Sequence, residues 1–256
     1  MTYLPPVDRL LKLGAEPARR RTWPDYRTLG LEDRHVPALI RMATDPALQA
    51  AEERDPAGWA PVHAWRALGQ LRAAAAAEPL LDLLQREMES DWVFREVPAV
   101  LGMIGPAALP GATILLFDEM ADEELRIAAS QVIVYAGIEY PERREEAAAL
   151  LVTQLEDWKD QGRALNAFLI SGLVDLQETE AAPLMQAAFA VNAVDLNVNG
   201  DWEDVQVDLG LLEERITPSR AFDAPGARAT SPRASQKTEQ RRKAQKQARK
   251  RNRKKK

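Results

Sequence analysis

Residues Ala60 to Met88, APVHAWRALGQLRAAAAAEPLLDLLQREM, spell a helix, a short turn of small residues and a second helix. The first carries Val62, Trp65 and Leu68 on one face. It is read as stopping at Gly69, a residue that tolerates the left-handed conformation closing many helices. The second starts near Pro79, which suits a first helical turn, and carries Leu80, Leu83, Leu84 and Met88 along one side. Two amphipathic helices alone cannot bury both stripes, so the pair requires neighbours of its own kind.

The same grammar recurs. Gly69, Gly102, Gly137 and Gly172 stand 33, 35 and 35 residues apart, each behind an apolar run such as Val97–Leu101 or Leu165–Leu169. Pro79, Pro110 and Pro183 follow three of these glycines, and Pro141 stands closer to the third. A period of this size, one helical hairpin per copy, predicts an all-α fold, an α-solenoid of about four to five hairpins. The later copies are expected at Asp91–Met120, Asp122–Trp158 and Asp160–Phe189. Residues 1–55 read as an N-terminal helical cap, 56–190 as the repeats, 191–222 as a C-terminal cap segment and 223–256 as a tail.

Within the first copy, AWRALGQLRAAAAAEPLLDLL resembles the HEAT-like repeat, in particular the short variety named after phycobilisome lyases. The likeness runs from roughly Leu29 to Ala190 and fades in the later copies. With its length and basic end, the whole chain is also similar to uncharacterised bacterial HEAT-like proteins. The resemblance implies a fold and a binding role. It transfers no catalytic residue, because the repeat motif is a packing motif.

Composition agrees with a helical core: 46% of the 256 residues are hydrophobic, rich in Ala and Leu. There is no cysteine, which removes disulfides and thiolate metal sites from consideration. The N-terminus, MTYLPPVDRLLKLG, lacks the basic start and apolar run of a signal peptide. The most apolar window, Ile127–Ile138, is too short to span a bilayer. A cytoplasmic protein is the expectation. His35 and His63 lie on different helices without ligand-spaced companions, and Ser130 and Ser171 lack a nucleophile's strand-to-helix turn. No cofactor, metal or catalytic residue is assigned.

Each later copy opens near an acid, so Ser90-Asp91, Asp122 and Asp160 read as helix caps. Successive second helices should line one curved face, where such folds bind partners. Its exposed candidates are Gln85, Arg86 and Glu89, then Asp118 and Glu119, then Gln154 and Asp157, with Gln186 last. Beyond Ala190 the period is lost. There Asp201 reads as a cap, Trp202 as folded onto the last repeat, and Leu209, Leu211 and Leu212 as a seal. Asp201, Trp202, Glu203 and Asp204 also form the sharpest candidate for a partner-facing patch. Arg19, Arg20 and Arg21 suit a solvated loop, with an acidic partner as the rival reading.

The tail completes the charge pattern. From Asp223 onward there is no Leu, Ile, Val, Phe, Met, Trp or Tyr, so this segment cannot build a core and is expected to be disordered when free. Residues 228–256 hold fourteen Lys and Arg against Glu239, a net of +13, which leaves −18 on the body behind an overall −5. Arg241, Arg242, Lys243, Lys246, Arg249, Lys250, Arg251, Arg253, Lys254, Lys255 and Lys256 are the polyanion-binding candidates. Without aromatics or an apolar face, any grip is phosphate-directed, sequence-blind and salt-dependent. Folding back onto the acidic body is the competing role.

The favoured function is a non-enzymatic scaffold that binds a protein partner, with the tail tethering it to RNA, ribosomes or another polyanion. A bilin (chromophore) lyase is the alternative implied by the repeat's namesakes. A helical-repeat glycosylase would need a basic concave groove, against which the −18 body argues.

Overall fold

A computed structural model of the chain describes residues 3–15, 23–51 and 55–218, and among them every regular element is a helix. Arg19, Arg20, Arg21 and the whole basic tail lie outside the described residues. From Ala60 to Ala190 the helices come as consecutive pairs: α3 (Ala60–Gln70) with α4 (Ala77–Arg86), α5 (Asp91–Ile104) with α6 (Leu109–Phe117), α7 (Glu123–Glu139) with α8 (Arg144–Glu156), and α9 (Arg163–Asp175) with α10 (Ala182–Ala190). Every pair is joined through a three-residue 3-10 turn, at Ala74–Ala76, Gly105–Ala107, Pro141–Arg143 and Thr179–Ala181. Short elements flank them: α1 (Val36–Ala43) and α2 (Pro46–Gln49) before, α11 (Leu196–Asn199) and α12 (Trp202–Asp208) after. No single helix among the described residues is long and apolar enough to cross a membrane.

The chain divides into two compact units, Met1–Ile114 with Gln131–Arg143, and Leu115–Ser130 with Arg144–Lys256. In the first, α3 packs against α1 on one side and α5 on the other, so that it is buried from Ala60 to Gly69 with no solvent face. Leu39, Met42, Leu68, Leu80, Leu83, Leu84 and Leu101 are closed to solvent, and Ser90 caps α5 by accepting from the Val93 N–H at 3.4 Å.

None of the four periodic glycines ends its helix, since Gly137 and Gly172 also lie inside α7 and α9, and two of them have a different job from the one their position suggests. Gly69 does not end its helix: α3 continues to Gln70, and the left-handed residue is Arg72, at φ 51°. What Gly69 provides is closeness, because a Cβ there would lie 3.3 Å from both Val100 Cγ1 and Met103 Sδ on α5. Gly102, also inside its helix, repeats the arrangement more tightly. A Cβ on it would fall 2.2 Å from Tyr135 Cβ and 2.9 Å from the Tyr135 carbonyl carbon.

In the second unit, α8 packs against α9 and α10, α9 against α11, and α10 against α12. Asp122 precedes α7, and its carbonyl receives the Leu125 and Arg126 N–H groups at 2.9 and 3.1 Å. Asp160 is not a cap. Helix α9 begins after Gly162, and the carboxylate that satisfies its first turn is Glu123, accepting from the Leu165 N–H at 3.2 Å. Gly162 is what admits that carboxylate, since a Cβ there would sit 1.8 Å from Glu123 Oε1. Asp201 does cap α12, in a reciprocal box with Asp204. The Trp202 and Phe189 rings lie 5.9 Å apart and Leu209 is buried, but Leu211 points to solvent and seals nothing.

Candidate functional site

Ionisable side chains with the residue types of an active site meet inside the first unit. Arg66, on α3, is fully buried and donates from Nε and Nη2 to Glu96 on α5, both at 2.7 Å. The Trp65 indole N–H adds a longer bond to Glu96 at 3.4 Å, and the Trp23 ring lies over the guanidinium at 5.0 Å. Burial opposes the Arg66 charge, but the Glu96 carboxylate and the Tyr26 hydroxyl overcome it and hold the guanidinium pKa above its ordinary value. Beside this pair, His63 is held at both ring nitrogens. Its Nε2 lies 2.8 Å from the Gly14 carbonyl oxygen, which can only accept, so the proton sits on Nε2 and Nδ1 accepts from the Tyr26 hydroxyl at 2.7 Å.

The chain of bonds ties the N-terminal segment through Tyr26 and Gly14 to helix α3. Arg66, His63 and Tyr26 are all buried, and their side-chain hydrogen bonds run to one another and to the Gly14 and Glu96 oxygens. His35 is structural in another way: its Nδ1 accepts the Glu32 N–H at 3.0 Å in a capping box. Among the described residues, no group of three or more His, Asp or Glu side chains is placed to hold a metal ion.

The surface holds the other candidates. In the first unit Gln85, Arg86 and Glu89 are exposed at the end of α4. Gln85 and Arg86 border an open groove of about 520 Å³ together with Thr44, Glu78, Pro79 and Asp82. In the second, Asp118, Glu119, Asp157 and Gln186 are exposed. Gln154 is buried, against the expectation that it faces a partner. Helix α8 lies between α9 and α10, and this position looks inward, where the Gln154 amide sits 2.9 Å from Gln161 and 2.8 Å from the Arg126 guanidinium.

The acidic patch at the start of α12 is already engaged. Arg215 reaches back to Asp201 with two bonds of 2.7 and 2.9 Å and to Asp204 at 2.6 Å, while Glu203 accepts the backbone N–H groups of Ile216 and Thr217. These acids raise the Arg215 pKa. The Thr217 N–H leads the contacts that hold the Glu203 carboxyl below its usual range, against a smaller opposing effect of burial. Asp201, Trp202, Glu203 and Asp204 are therefore half-buried parts of a clasp that ends the described chain at Pro218.

Sequence reasoning missed the Arg66–Glu96 pair and the Arg215 clasp. It also passed over the exposed apolar side chains Phe117 and Met120 that flank Asp118 and Glu119. The available signal for the pair was a lone Arg and a lone Glu inside apolar helical runs thirty residues apart. No protein-family model matches the chain, and comparison with curated proteins and with solved structures found no match.

Proposed function

We propose that the protein is a non-enzymatic scaffold, an α-solenoid of HEAT-like helical repeats. In this reading its exposed acidic faces bind a protein partner, and its basic tail tethers it to RNA, ribosomes or another polyanion in the cytoplasm. The observation that carries the repeat reading is a relationship that recurs one period on. Gly69 opens the contact to α5 at Val100, and Gly102 opens the contact to Tyr135 on α7, each glycine admitting the helix that bears the next. Successive first helices that touch this way form a stack in which each module is completed by its neighbour.

The binding role is supported by where charge sits. The Arg66–Glu96 and His63–Tyr26 contacts are consumed by the core of the first unit, while Glu89, Asp118, Glu119 and Asp157 stay exposed. The tail supplies the opposite sign, +13 over residues 228–256, on a segment with no large apolar side chain to fold with. The test is affinity capture from the native extract, comparing the full chain with a truncation ending at residue 227, at low and high salt. This reading expects one protein retained by both forms at high salt, and a polyanion retained only by the full chain at low salt. Failure of both forms to retain any specific protein overturns it.

A further inference from the structure

The end of α6 and the turn behind it, Phe117–Glu124, read FDEMADEE. Met120 is 92% exposed and Phe117 37%, with Asp118 and Glu119 on the surface beside them. Met120 follows a tight turn in which Asp118 Oδ1 accepts the Met120 N–H at 2.9 Å. No Lys or Arg occurs between Phe117 and Leu125, and the next residue, Arg126, is buried with its Nε donating to the Leu116 carbonyl at 2.8 Å. Met120 thus stands in water with Phe117 partly exposed beside it, within a run of acids that no basic residue in the segment offsets.

We propose that this surface docks a cationic amphipathic segment of a partner protein, its apolar side chains on Phe117 and Met120 and its Lys or Arg side chains against Asp118 and Glu119. The proposal rests on the scaffold reading and names the chemistry of the partner. Exposed Met and Phe supply adaptable contact area, and the flexible thioether suits side chains of varied shape. The acids add attraction and a salt-dependent on-rate. The chain's own tail is the rival occupant by charge. It contains no Leu, Ile, Val, Phe, Met, Trp or Tyr, so it answers the carboxylates and leaves Phe117 and Met120 uncovered. The occupant that satisfies both halves of the surface is another chain.

The test is fluorescence anisotropy on the full chain with two labelled peptides. One is a designed helix, KLLKRLLKKLLRKLLK; the other is the tail sequence RRKAQKQARKRNRKKK. The expected result is that the designed helix binds at least about tenfold more tightly than the tail peptide. Met120→Ser, at a site too exposed to disturb folding, weakens that binding several-fold, and Phe117→Ser with Met120→Ser weakens it by about tenfold. Asp118→Asn with Glu119→Gln flattens its salt dependence, and the tail peptide responds only to the acid substitutions. Binding of the designed helix that is no tighter than the tail peptide's, or that is untouched by Met120→Ser and by the double variant, overturns the proposal. If native-extract capture stays equal for the wild type and Met120→Ser while the peptide result is negative, this surface falls and the scaffold reading stands.

Discussion

Arg66 and Glu96 face each other across the first unit in a two-bond ion pair, 2.7 Å at each bond, with side chains 0% and 3% exposed. A pair so enclosed stabilises less than its geometry suggests, because both charges have left water, yet breaking it is costly. Glu96→Ala should therefore destabilise the chain by about 3–5 kcal/mol, the penalty of a buried Arg without its carboxylate. The double replacement Arg66→Met with Glu96→Leu should recover most of that loss. Urea denaturation of the single and the double variant measures both effects, and a double variant that loses as much as Glu96→Ala or more would contradict this account of the pair.

The two glycines that admit neighbouring helices differ in tolerance. At Gly69 the atoms a Cβ would meet are side-chain ends at 3.3 Å, which can shift, and alanine gains helix propensity there. At Gly102 the obstacle includes the backbone of Tyr135. Gly69→Ala is expected within about 1 kcal/mol of neutral, whereas Gly102→Ala should lose about 1–3 kcal/mol or more through overpacking. Thermal melts of the two variants side by side decide it.

Arg215→Gln removes the cation that joins Asp201 and Asp204 to the end of the described chain. The clasp is peripheral, so the melting temperature should hardly move, while the Ile216 and Thr217 amides exchange faster with solvent. Acid should have the same local effect. Because the Glu203 carboxyl is held below its ordinary range, its contribution is complete above that range and is lost as pH falls through the lowered value. Hydrogen exchange followed against pH reads both.

Tyr3 ties the N-terminal segment to Asp45 by a 3.0 Å bond from its hydroxyl. Burial, then the Asp45 carboxylate, push its pKa from 10.0 up to about 12. A raised pKa means the folded chain prefers the protonated phenol. Its contribution is therefore full below pH 10 and disappears as pH rises toward 12. Tyr3→Phe should abolish that alkaline loss of stability, as denaturation at pH 9 and at pH 11 would reveal.

How much of this could be read from residues alone depended on which force set each position. Apolar periodicity located the four helix pairs, because burial of Leu80, Leu83 and Leu84 is a one-helix property. The same periodicity misassigned Gly69, whose reason lies on another helix at Val100 and Met103. Asp160 looked like a cap by its place in the chain, but Glu123 caps that helix from 42 residues away. Asp201 and Trp202 were legible because their partners, Asp204 and Phe189, lie only three and thirteen residues away in sequence. Gln154 was read outward because helix α8 shows almost no segregation of apolar residues to one side. The Arg66–Glu96 pair stayed hidden because α3 has no solvent face against which a polar side chain could be oriented.

The central claim is that an ordered helical body and a cationic tail do separate jobs. Its most direct test is retention of single-stranded RNA by the full chain and by residues 1–227, at about 50 and 500 mM salt, with helical content followed by circular dichroism. The account predicts RNA bound by the full chain at low salt only, no RNA bound by the truncation, and unchanged helicity and melting of the body. RNA retained by the truncated body would contradict it.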